Sequence, residues 1–75
     1  MKGLRKMLGG KILKVGRKVR GLTQDEVAAV YGISRNTYMS WESGKTAISF
    51  DDLNTICDHV FKMPLFEVQQ VATHA

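Results

Sequence analysis

One phrase of sequence occurs three times in this chain: an apolar residue, a hydroxyl residue, three helix-compatible positions, then a second apolar residue. In Leu22-Thr23-Gln24-Asp25-Glu26-Val27 the Thr23 side chain can accept an orphan helix amide while Glu26 reaches back to the Thr23 amide, and Leu22 staples to Val27. In Ile33-Ser34-Arg35-Asn36-Thr37-Tyr38 the same roles fall to Ser34, Ile33 and Tyr38, although Thr37 cannot close the capping box. In Ile48-Ser49-Phe50-Asp51-Asp52-Leu53, Ser49 caps, Asp52 sits favourably at the positive helix end and Ile48 meets Leu53. Helices are therefore expected to begin near residues 23, 34 and 49.

Upstream, Lys11 to Arg20 places Ile12, Val15 and Val19 at helical spacing, and Gly21 supplies the stop. Gly9-Gly10 weakens continuity, so residues 1–9 read either as an extension of this helix or as a basic arm. Downstream, Pro64 fits the first turn of a fifth helix, where a missing amide is harmless. No stretch alternates as a strand does. The expected fold is all-α with five short helices, the domain occupying residues 10–71 and a C-terminal tail residues 72–75. Seventy-five residues suffice for one small core and leave little for a second.

Charge is distributed unevenly. Residues 1–22 carry eight cations (Lys2, Arg5, Lys6, Lys11, Lys14, Arg17, Lys18, Arg20) and no acid, whereas the other 53 carry three cations and seven acids. Such asymmetry points to a polyanion met by one face. The longest apolar runs are far short of the ~20 residues that span a bilayer, and the start lacks the apolar stretch of a signal peptide. One cysteine, Cys57, and two histidines supply neither an internal disulfide nor a structural zinc site. No metal, cofactor or small-molecule substrate is expected, and a reducing cytoplasm is the expected setting.

Function is most legible in the second and third helices. A turn of about three residues centred on Gly32 separates them, which is helix-turn-helix spacing. Gly32 can take positive φ, and Ala28 is small enough to lie where the helices cross. The third helix turns Ile33, Tyr38 and Trp41 inward and leaves Arg35, Asn36, Met39, Ser40 and Ser43 as an outer stripe. A solvated face normally carries Lys and Glu. This one offers a guanidinium, an amide, a thioether and hydroxyls, groups that suit base edges, where a good bidentate contact discriminates by roughly 1–3 kcal/mol.

From Lys11 to Val68, about three quarters of its length, the chain resembles the phage-repressor-type (Cro-like, or XRE) helix-turn-helix regulators. The resemblance is carried by Arg17, Gly21-Leu22-Thr23-Gln24, Ala28, Gly32-Ile33-Ser34, Trp41-Glu42-Ser43-Gly44, and Ser49 with Leu53. It implies a third helix in the DNA major groove with Arg35, Asn36, Met39 and Ser40 facing bases. Backbone contacts are implied for Thr23, Gln24, Ser34, Thr37, Ser43, Lys45 and Thr46, with Gly44 permitting close approach. An ion pair between Arg17 and Glu42 is implied as well. The chain departs from the pattern at Gly16, where the family usually has a large apolar residue, and at Ala47, where it usually has proline.

Other residues carry no chemistry. His59 and Asp58 are helix neighbours pointing about 100° apart, a poor catalytic pair, and Cys57 reads as a small core residue. No residue set supports an enzyme. The segment Leu65-Phe66-Glu67-Val68-Gln69-Gln70-Val71 is apolar enough to close the core and leave a seam for a second copy, formed by Leu65, Phe66, Val68 and Val71. The expected function is sequence-specific binding of double-stranded DNA by a homodimer on a pseudo-palindromic operator, as a transcriptional repressor. Competing readings are an antitoxin or protein-interaction module that controls its own promoter and, less well supported, a membrane-surface protein using the cationic first 20 residues.

Overall fold

Each of the three capping phrases starts a helix. The elements are α1 (Lys2–Val19), α2 (Gln24–Tyr31), α3 (Arg35–Ser43), α4 (Phe50–Thr55), a π-helical turn over Ile56–Val60 that continues α4, and α5 (Leu65–His74). The structure is a computed structural model that describes residues 2–74, with side chains over residues 8–73. Among the described residues there is no strand, and the fold is all-α. The side chains of Lys2, Arg5 and Lys6 lie outside the described part.

At α2, Thr23 Oγ1 accepts the Glu26 amide at 3.1 Å and Glu26 Oε1 accepts the Thr23 amide at 2.8 Å, closing the box. Ser34 and Ser49 accept the amides of Thr37 and Asp52, each at 3.1 Å. Between α2 and α3 the chain reverses at Gly32, whose φ of 87° is the left-handed conformation glycine adopts most readily. Both Gly32 and Ile33 donate their amides to the Ala28 carbonyl. Ala28 and Val27 are buried where α2 meets α3, and Tyr38 fills the wedge behind them.

Helix α1 runs unbroken through Gly9 and Gly10. Its inner line differs from the expected one. Ile12 and Leu13 are buried along with Gly9, Gly10 and Gly16, while Val15 is half-buried and Val19 is 53% exposed. The helix is rotated by about a quarter turn from the face that Ile12, Val15 and Val19 suggest. Glycines have no side chain to mark a face, yet here they make the contact. A β-carbon at Gly10 would stand 2.5 Å from the Glu42 carbonyl oxygen and 2.7 Å from that of Trp41, so α1 crosses α3 backbone to backbone. A β-carbon at Gly16 would collide with the ring of Phe61. The large apolar residue missing at Gly16 is thus supplied from the far end of the chain by fully buried Phe61.

Two further departures concern the C-terminal half. Arg20, counted among the cations of a polyanion-binding stretch, is folded back onto the end of the π-helical turn: its Nε donates to the Phe61 carbonyl and its Nη2 to that of Lys62. These bonds tie down a turn in which Lys62 holds a φ of 59°, an uncommon value for a residue with a β-carbon. Helix α5 begins just after Pro64, whose carbonyl accepts the Val68 amide. It continues through residues 72–74, and Ala72, the first residue of the expected tail, is fully buried, while Ala75 lies outside the described residues. Val68 is fully buried too and is unavailable to a second copy, because α5 packs it onto the same cluster as Leu13, Ile56 and Phe61.

Replacing Gly10 by Ala should destabilise the protein by about 1–3 kcal/mol in urea denaturation despite the better helix propensity of alanine, because a rigid backbone blocks the methyl. Gly16→Ala should also destabilise. Combined with Phe61→Leu, which makes room, it should fall short of the sum of the two single effects.

Candidate nucleic-acid interface

Helix α3 divides into two faces. Tyr38 is fully buried, and Trp41 is half-buried, its ring edge-to-face with Tyr31 at a centroid distance of 6.5 Å. Arg35, Asn36, Met39 and Ser43 are exposed and Ser40 is half-exposed, giving one continuous outer stripe. Beside it lies a shallow concavity lined by Asn36, Thr37, Ser40, Trp41 and Thr46. The half-exposed edge of Trp41 therefore contributes to this surface, which its inward phase in sequence did not suggest.

Arg17 and Glu42 hold the stripe outward. Arg17 Nε donates to Glu42 Oε2 at 3.0 Å and Nη2 to Oε1 at 2.8 Å, a bidentate pair between α1 and α3. Its third nitrogen, Nη1, donates to the Leu22 carbonyl at 3.0 Å, and Gln24 Nε2 donates to Glu42 Oε1 at 3.2 Å. One carboxylate thus joins α1, α2 and α3. The two side chains are 14% and 4% exposed. Burial alone would push the Glu42 carboxyl up, but the donors from Arg17, with Gln24 behind them, outweigh it and hold it below its usual value of 4.5. The Arg17 guanidinium is raised by the same bonds. Tyr38 lies against this pair, and burial pushes its phenol far above the ordinary range. A second tie, from the Tyr31 hydroxyl to Asp52 Oδ1, joins α2 to the start of α4 and pushes that phenol to about 12.

The residues expected to meet the DNA backbone are not equally free to do so. The Ser34 hydroxyl donates to Thr37 Oγ1 at 2.9 Å, and the Ser43 hydroxyl donates to the Ser40 carbonyl at 3.2 Å while accepting the Lys45 amide. Both hydrogens are spent inside the protein. Thr23 and Thr37 use their oxygens as acceptors and keep their hydrogens, Gln24 keeps one amide hydrogen, and Lys45 and Thr46 are exposed. The turn that carries Lys45 starts at Gly44, whose φ of 82° ends α3, and closes with the Thr46 amide on the Ser40 carbonyl. Of the α1 cations with described side chains, Arg17 and Arg20 are engaged internally, whereas Lys11, Lys14 and Lys18 are exposed on the face away from the core.

Sequence reasoning missed one contact in the stripe. Arg35 Nε lies 2.8 Å from Asp25 Oδ1. Nothing in the local pattern joins residues ten apart across a turn. The signal is only that each opens a helix of the pair.

Arg17→Met leaves an almost buried carboxylate without its cation and should cost about 3–5 kcal/mol, while Arg17→Met combined with Glu42→Leu should regain most of that. The pH dependence follows from the direction of the Glu42 shift. A depressed folded value stabilises the protein above about pH 4.5 and loses that contribution as pH falls below it, so Glu42→Gln should flatten the acid limb of a stability curve. In Arg17→Met burial is opposed only by the weaker bonds around Glu42, that from Gln24 among them, so its carboxyl should rise from its wild-type position and the acid limb should flatten in that variant as well.

Comparison with known proteins agrees with this geometry. A family model described as helix-turn-helix matches residues 13–60, which include α2, α3 and the turn between them. Antitoxin PezA of Streptococcus pneumoniae serotype 4 is 42% identical over 48 residues, covering 64% of this chain and 30% of the antitoxin, so the chain matches less than a third of that relative's length. No solved structure matches. No described helix is long and apolar enough to cross a membrane. With a matched region that spans most of the chain and a helix pair closed on Gly32 and Ala28, the chain belongs to the Cro-like helix-turn-helix family of DNA-binding regulators.

Proposed function

We propose that this protein is a sequence-specific repressor that occupies a pseudo-palindromic operator in double-stranded DNA as a homodimer, with α3 in the major groove. The observation that carries the reading is the outer stripe of α3, which is exposed, continuous and nearly uncharged. Arg35 and Asn36 at its start, with Met39 and Ser40 one turn on, have the donors, acceptors and apolar surface that read base edges. A helix of nine residues is about 14 Å long and meets roughly four base pairs, too few to find a site in a genome. Two copies on successive turns, about 34 Å apart, solve this, and the longest dimension of the protein, 30 Å, suits such spacing.

Thr23, Gln24, Thr37, Lys45 and Thr46 supply the backbone contacts. Ser34 and Ser43 act indirectly, Ser34 by capping α3 and Ser43 by shaping the Gly44 turn. Lys11, Lys14 and Lys18 add a long-range positive field that speeds encounter more than it fixes register. The seam between copies comes from α5. With Val68 in the core, Phe66, 70% exposed, and Val71 carry it, with Leu65 at its edge.

A second reading is favoured by the similarity to an antitoxin: a protein that masks a toxin and controls its own promoter through the same helix pair. Isolation with a second protein in equal amount, whose removal leaves DNA binding intact, distinguishes it.

Selection of bound duplexes from a random pool should return a two-fold symmetric motif. Arg35→Ala or Asn36→Ala should flatten preference at one base position per half-site, whereas Lys45→Ala should weaken all sequences alike and make the salt slope on the full site shallower by about 2, one for each copy. Phe66→Glu should yield monomers in sedimentation and lose affinity for the full site while sparing binding to a half-site at high protein concentration. Equal loss on every sequence after Arg35→Ala contradicts the assignment.

A further inference from the structure

Three consecutive polar residues open α2, and each has a different partner. Gln24 turns its amide to Glu42 at 3.2 Å, Glu26 closes the capping box on the Thr23 amide at 2.8 Å, and Asp25 Oδ1 forms an ion pair with Arg35, 2.8 Å from its Nε. The first two hold the fold together. Asp25 does not. Its side chain is 67% exposed and that of Arg35 is 62% exposed, so the pair stands in solvent, where such bridges add little to stability. An anionic side chain at the edge of a surface meant for DNA also opposes the phosphates. A carboxylate there favours the positive end of α2, and beyond that its effect falls on Arg35.

A guanidinium carries five donors in a rigid planar fork. Left free, an arginine at the start of a recognition helix can serve guanine, a thymine carbonyl or a phosphate with similar ease, and holding one rotamer forfeits side-chain entropy on binding. With Nε held 2.8 Å from Asp25 Oδ1 in an ion pair, that edge of the group is occupied and its swing is restricted, while Nη1 and Nη2 remain available as a pair of donors. Two parallel N–H donors match the O6 and N7 acceptors of guanine in the major groove, and no other base presents two adjacent acceptors there. The carboxylate also competes with phosphate for the arginine and keeps it from slipping to the backbone.

We propose that Asp25 is a specificity-determining positioning residue that clamps Arg35 for end-on recognition of guanine. The proposal rests on the reading that Arg35 faces a base, and it assigns the preferred base. It also makes Asp25 a residue that lowers affinity for DNA in general while sharpening discrimination.

The test is base preference measured on a randomised duplex pool with the full chain as wild type, Asp25→Ala, Arg35→Ala and the double variant. Thermal melting checks that each is folded. The Thr23–Glu26 box is untouched by Asp25→Ala, so its melting temperature should fall by no more than the few degrees that loss of a first-turn acid causes. Arg35→Ala should abolish a guanine preference at one position of the half-site. Asp25→Ala should reduce that same preference about 3- to 10-fold, a part of what a full bidentate contact supplies, while binding to mixed-sequence duplex stays equal or tightens. In the Arg35→Ala background, removing Asp25 should leave the base profile unchanged. If Asp25→Ala keeps the guanine preference of the wild type, or sharpens it because the pair was withholding Arg35, the proposal is overturned while the base-reading role of Arg35 stands. If Arg35→Ala leaves every base preference intact, the underlying reading fails and the clamp fails with it.

Discussion

Glu42 is the constraint on which the arrangement of this protein depends. Its carboxylate is almost wholly withdrawn from water and survives as an anion because Arg17 meets it with two parallel bonds and Gln24 adds a third. A charge buried in this way penalises any packing that separates the partners far more than it rewards the packing that joins them. Three helices are therefore locked in one relative placement, and the face of α3 opposite Glu42 is obliged to point outward. Specificity of geometry, more than net stability, is what the pair provides.

Close approach is the second requirement. Arg17 can reach Glu42 in bidentate fashion because α1 rides directly on the carbonyls of Trp41 and Glu42, and only a residue without a β-carbon allows that at position 10. Gly9, Gly10 and Gly16 in the interior of one helix are costly in propensity, about 1 kcal/mol each. The packing at Gly10 and Gly16 offsets that loss by bringing in two partners distant in sequence, the end of α3 and the ring of Phe61. Helix α1 is thus weak as an isolated helix and firm as part of the core.

Internal hydrogen bonds separate structural polar residues from those left for a ligand. Ser34, Ser43 and Arg20 look like surface polar groups in the sequence, yet the two serines spend their hydroxyl hydrogens within the protein and Arg20 spends two of its five donors there. Asn36, Lys45 and Thr46 remain exposed. The exposed face is defined as much by the groups already satisfied as by those on display.

The sequence by itself determined where helices α2, α3 and α4 start, because capping is a contact between residues three apart and needs nothing from the rest of the chain. It determined the Gly32 turn and the inward phase of Tyr38 for the same reason, and with them the outer stripe of α3. Only the tertiary structure decided the working face of α1, since glycines carry no hydropathy and their role depends on what lies across from them. It alone decided that Val68 and Ala72 belong to the core, because α5 reads as apolar on more than one side and its partners include Leu13, near the other end of the chain. The folding back of Arg20 and the pairing of Arg35 with Asp25 were settled at that level too. A charged side chain declares its chemistry in one letter, but which neighbour it meets depends on how distant segments pack.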